Sequence, residues 1–182
     1  MSYFLIPVIL LLLWTAWVFN RLVRLRNLVR TAWSDIDVQL TRRHDLVPQL
    51  VEAVRGYVGH ERVLLESVAA LRGEALAQRS PAGLAGVEQA LEQALSRLIA
   101  LREAYPDLKA SENFVRLQRD LVDVEDHLQY ARRFYNGAVR GLNDAIQRFP
   151  DLMLARPLGF VEAEFFAADS DARAAPVVEG LR

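Results

Sequence analysis

The sequence contains no cysteine, which excludes disulfides, thiolate nucleophiles and Cys-based zinc sites from any account of what this protein does. Lysine is nearly absent as well: of 22 basic residues only Lys109 is not arginine. Neither sign of charge is in excess, with 23 acidic residues against those 22 and a net charge of -1, so phosphate neutralisation on nucleic acid is not the expected mode of binding. Charge is missing altogether from Tyr3 to Phe19, and the first ionisable side chain after that run is Arg21.

What is present begins with that uncharged run, YFLIPVILLLLWTAWVF. As a helix rising about 1.5 Å per residue it is roughly 26 Å long, close to the hydrocarbon thickness of a bilayer. Trp14, Trp17 and Phe19 gather at its C-terminal end, where interfacial aromatics belong. A cleaved signal peptide would carry a basic start and a small-x-small cleavage site, and neither is present. Residues 1–20 are therefore expected to be a transmembrane anchor that contacts the lipid bilayer through residues 3–19. Arg21, Arg24, Arg26 and Arg30 follow the span and nothing basic precedes it. The excess of positive charge predicts an N-terminus outside and a C-terminal domain in the cytoplasm, at the cytoplasmic membrane.

Past Arg21 nothing reads as strand. Leu22, Leu25, Val29, Trp33, Ile36 and Leu40 step by three or four and form one helical stripe. Pro48 cannot donate a backbone bond and disfavours helix at Val47, so the first helix is expected to break or kink there, with Gly56 and Gly59 as the second candidate. In RSPAGLAG, Ser80 can cap and Pro81 suits a first helical position. A further helix is stopped by Pro106, Ser111 can cap the last one, and Pro150 ends it near Phe149. Residues 167–182 are small, polar and aperiodic and predict a disordered tail. Short connections make neighbouring helices antiparallel. The expected fold is all-α: an antiparallel up-and-down four-helix bundle over residues 21–166, carrying an N-terminal transmembrane helix.

The last helix contains ARRFYNGAVRGLNDAIQRFP, with asparagines, glycines and arginines that helices do not favour. On an ideal helical projection Leu128, Ala131, Tyr135, Val139, Leu142, Ile146 and Phe149 share one apolar arc. Arg132, Asn136, Arg140 and Asn143 form a polar ridge along the edge of that arc. The first helix offers Asp35, Asp37 and Asp45 as partners, with Arg43 projecting into its apolar stripe, so the ridge is a candidate structural or interaction network. Ordinary helix-edge ion pairs are the plainer account of the same residues.

Three stretches bear a family resemblance: WSDIDVQLTRRHDLVPQLVEAVRGYVGHE, AYPDLKASENFVRLQ, and ARRFYNGAVRGLNDAIQRFP with the aromatic-rich LGFVEAEFF beyond it. Together they make the chain resemble the LemA family over about residues 21–166. The resemblance implies a single N-terminal span and an antiparallel helical bundle, in a family with some members tied to membrane organisation and compartment formation.

Catalytic and metal patterns are incomplete. HERVL begins like a zinc-protease motif, but Leu64 stands where the second histidine belongs, and no Glu-x-x-His pair occurs. His44 and His127 read as surface or helix-edge residues. No catalytic residue, cofactor or metal is expected, and the protein is not expected to be an enzyme. It is expected to be a membrane-tethered interaction or scaffold module; the alternative is an accessory or regulatory subunit of another membrane protein such as a protease or sensor. The partner class left open is a second copy of the chain or an unidentified membrane protein.

Overall fold

A computed structural model describes residues 5–59, 61–78 and 80–166. Among these residues the chain is all-helical and has no strand. The helices are α1 (Leu5–Arg55), α2 (Arg62–Ala77), α3 (Pro81–Ala100), α4 (Pro106–Ala110), α5 (Glu112–Gln147) and α6 (Leu152–Ala155), with a 3-10 turn at Leu101–Glu103. The chain forms two compact units. Of the described residues, the first combines those up to Arg42 with Asp123–Glu164; the second takes those from Arg43 to Val122 with Phe165 and Phe166.

In the first unit the two amphipathic stripes read from the sequence face each other. Leu22, Val29, Ile36 and Leu40 of α1 are buried, as are Leu128, Ala131, Tyr135, Val139, Leu142 and Ile146 of α5. Three cross-contacts set the direction. A methyl placed at Gly141 would lie 4.0 Å from Leu25 Cδ2, the rings of Trp33 and Tyr135 are 5.3 Å apart, and Arg42 meets Asp123 at 3.0 Å. As α1 numbers rise the α5 numbers fall, so the two helices run antiparallel here. Each buried leucine or valine contributes roughly 1.5–3 kcal/mol by leaving water, which makes this seam the main support of the unit. Phe149, expected on the apolar arc, is instead 75% exposed. Helix α5 ends at Gln147, so the helical projection no longer applies two residues later.

In the second unit α2 packs on α3. Ser80 caps α3 by accepting from the Gly83 N–H at 3.1 Å, and Pro81 occupies the first turn, as the sequence indicates. The core is aliphatic, with Leu50, Val54, Val68, Leu91, Leu95, Leu98 and Leu108 buried beside Phe114. Tyr105 donates to Glu61 Oε1 at 2.8 Å and Arg102 to Gln118 Oε1 at 2.9 Å, tying down the connection between α3 and α5.

Pro48 does not break α1, which continues through it to Arg55; the chain turns at Gly56–Gly59, where the second candidate lay. The reason is a borrowed donor. A proline at 48 removes the N–H that would bond the carbonyl four residues back, at His44. Arg72 of α2 supplies the replacement, its Nε donating to His44 O at 2.7 Å. The Arg72→Met variant is therefore expected to lose about 1–3 kcal/mol through the unmet carbonyl. In a Pro48→Ala background, where the amide N–H is restored, the same change should cost about 1 kcal/mol less. Equal costs in the two backgrounds, measured by denaturant melts, would show that the arginine does not replace the missing bond.

Candidate functional site

The second unit holds a buried charge cluster at the α1–α3 contact. Arg43 and Glu88 are both 0% exposed, and His44 is buried beside them. Arg43 Nη1 lies 2.8 Å from Glu88 Oε2 and 3.4 Å from the Glu88 carbonyl oxygen. His44 Nε2 lies 2.7 Å from Glu88 Oε1, so both carboxylate oxygens are engaged. Glu92, on the same helix one turn on, stands 3.9 Å from Arg43 Nη2. Burial alone would push the Glu88 carboxyl up, but the His44 hydrogen bond and the Arg43 charge outweigh it and hold the group below the usual carboxylate value. As a carboxylate Glu88 only accepts, so His44 Nε2 is the donor.

Arg43 thus lies in the apolar stripe, where sequence reasoning put it, but its partner is Glu88, which that reasoning missed. The signal was there. Leu84, Glu88, Leu91, Leu95 and Leu98 step by four and three along α3, and a carboxylate inside such a stripe has to find a cation. His44 is not a surface or helix-edge residue, because that carboxylate draws it into the interior. His127 is exposed, with Nδ1 at 2.7 Å from the Asp123 carbonyl oxygen one turn earlier.

The polar ridge of α5 lies in the first unit and divides by burial. Asn143 is buried, Arg132 and Asn136 are half-buried, and Arg140 is exposed. Asn143 forms a two-point clasp on the backbone of Ala163, donating from Nδ2 to its carbonyl at 3.0 Å and accepting its N–H on Oδ1 at 2.9 Å. About two turns earlier on the same helix, Tyr135 donates to the Glu164 carbonyl at 2.8 Å. Asn143 of the ridge and Tyr135 of the stripe thus hold the segment after α6 against α5. Asp35, Asp37 and Asp45 are exposed on α1. Nothing in the sequence pattern names a backbone peptide as the partner of an asparagine.

The carboxylate of Glu88 and the amide of Asn143 find their partners within the fold. Among the described residues no group of three His, Asp or Glu is placed to hold a metal ion. His60, which opens the HERVL stretch, lies outside those residues, as does the segment 167–182. Helix α1 carries the other distinctive feature. It is the one described helix long and apolar enough to cross a membrane, with a mean hydropathy of 1.8 over its most apolar window, of which 11% is buried. A core helix of a soluble protein would be mostly buried.

Among the described residues these features define an all-helical protein with one long apolar N-terminal helix and a buried Arg43–His44–Glu88 cluster. The LemA family profile matches residues 32–179, and the chain belongs to the LemA family. It is similar to the magnetosome protein MamQ of Magnetospirillum gryphiswaldense, at 26% identity over 174 residues, covering 81% of this chain and 64% of that protein. Magnetosome protein MamQ 2 of Paramagnetospirillum magneticum is 25% identical with the same coverage. Protein LemA of Metamycoplasma hominis is 26% identical over 153 residues, 82% of this chain and 68% of its own length. The chain thus spans a little under two thirds of the MamQ proteins it matches.

Proposed function

We propose that this protein is a membrane-anchored, non-enzymatic interaction or scaffold module. The observation that carries the reading is the continuity of α1, whose first turns display Leu10, Leu11, Leu12 and Leu13 at 58–63% exposure before the same helix buries Leu22, Val29 and Ile36. Apolar surface of that extent on one helix calls for lipid. On this reading residues 1–20 are the anchor and 21–166 the folded region, its long helical stretches forming an up-and-down bundle, with 167–182 as a tail. The charged groups of highest potential for chemistry, Arg43, His44 and Glu88, are shut away from solvent, which supports a structural role for them. The LemA resemblance, in a family with some members tied to membrane organisation, favours a role of that kind.

The arginines at 21, 24, 26 and 30 predict a cytoplasmic C-terminus. A phosphatase that works only after export, fused behind Arg182, should be silent, and the same fusion to a cytoplasmic reporter should be active. Activity of the exported reporter would overturn the orientation. Cross-linking in intact membranes then separates the partner classes, since a scaffold should link to further copies of itself and an accessory subunit to a different protein.

A further inference from the structure

The segment that follows α5 carries an apolar surface that the fold leaves uncovered. Phe149, Met153, Leu158 and Val161 are 75%, 63%, 45% and 78% exposed. Single exposed apolar residues are ordinary, but four large ones in one short segment make a patch. The segment is not loosely attached. Asp151, Ala155 and Phe160 are buried, so its inner side is anchored while Met153 faces away from Asp151 and Ala155 on the turn of α6.

Two of these residues, Asp151 and Phe160, meet the stretch of α1 that leaves the apolar run. Asp151 pairs with Arg21, the Phe160 ring sits edge-on to Phe19 at 6.0 Å, and the Arg26 guanidinium lies 5.2 Å above Phe160. Phe19 to Arg26 covers about 10 Å along the helix axis, comparable to the headgroup layer beyond the hydrocarbon. A segment fastened there is held at the level where amphipathic elements dip into the boundary between headgroups and acyl chains.

Resting on the reading of α1 as a membrane span, we propose that residues 149–161 form a second membrane contact, an interfacial loop whose Phe149, Met153, Leu158 and Val161 enter the headgroup boundary of the leaflet that α1 exits. The occupant is lipid because the patch continues the lipid-facing surface of α1. Within residues 149–161 the only charges are Asp151 and Arg156, of opposite sign, so apolar insertion, not charge, drives the contact, and salt should change it little. The loop would fix the tilt and rotation of the first unit against the membrane, which one helix alone cannot do.

The absence of native cysteine makes the test direct. Single variants Leu10→Cys, Val38→Cys, Met153→Cys and Val161→Cys of the full chain, labelled with an environment-sensitive fluorophore, are placed in phosphatidylcholine–phosphatidylglycerol vesicles with or without nitroxide-bearing lipid. Leu10 reports the span, and Val38, exposed on α1 about 28 Å past Phe19, reports water. The expected result is blue-shifted emission and several-fold stronger lipid quenching at 153 and 161 than at 38, with 10 quenched as well. If 10 is quenched while 153 and 161 behave like 38, the loop contact is wrong and the span stands. If 10 is not quenched, the span reading fails and the loop proposal with it. Blue-shifted but unquenched labels at 153 and 161 would mean that protein covers the patch, which also overturns the proposal.

Discussion

Replacing Glu88 by alanine is expected to lower the stability of the full-length protein in detergent by about 3–5 kcal/mol, the cost typical of leaving a buried charge without its partner. Arg43 is fully buried and cannot turn to water, and His44 loses the acceptor for its Nε2 proton at the same time. Glu88→Gln keeps the volume and one acceptor but not the charge, so it should fall between the wild type and alanine. Replacing the pair together, with Arg43→Met and Glu88→Leu, should cost less than either single change, because the buried guanidinium goes with its carboxylate and only the His44 N–H loses its acceptor. A denaturant melt in which Glu88→Ala costs under about 1 kcal/mol would show that the cluster is not buried as described.

The pH dependence has a definite sign. The folded-state value of Glu88 lies below its ordinary value of 4.5, so the unfolded state takes up a proton first as pH falls. The contribution of this carboxylate is therefore complete above about pH 4.5 and is lost progressively as pH drops through the depressed folded-state value. The stability gap between the wild type and Glu88→Gln should narrow over that acid range and stay constant from there toward neutrality.

The second large effect is expected at Asn143. Alanine there deletes both bonds to Ala163 and leaves a backbone N–H and carbonyl to find water or go unmet, at about 1–3 kcal/mol. Asn143→Asp should be no better, since it keeps an acceptor for the N–H but sets a carboxylate oxygen against the Ala163 carbonyl. Arg140→Ala, at an exposed position on the same ridge, should change stability by no more than about 0.5 kcal/mol. Limited proteolysis gives an independent readout: cleavage within residues 160–166 should accelerate in Asn143→Ala and not in Arg140→Ala. Equal protection in both would remove the clasp from the account of how this segment is held.

The sequence by itself determined whatever depends on local periodicity and composition. The uncharged run from Tyr3, the stripes Leu22–Leu40 and Leu128–Ile146, and the Ser80–Pro81 start of α3 are legible because helical spacing and capping chemistry act over one or two turns. Arg43 could be placed in an apolar stripe for the same reason. Only the tertiary structure decided who meets whom. Pro48 stays helical because Arg72, from another helix, donates to the carbonyl the proline abandons. Arg43 and His44 turn inward because Glu88 sits among the leucines of α3. Asn143 finds a peptide group at Ala163 whose partner no side-chain pattern could name, and Phe149 leaves the core because α5 stops at Gln147. Each of these turns on a donor, an acceptor or a helix end brought into place by packing between segments far apart in the chain, and hydrogen bonds and buried charges are satisfied by proximity in space, not along the sequence.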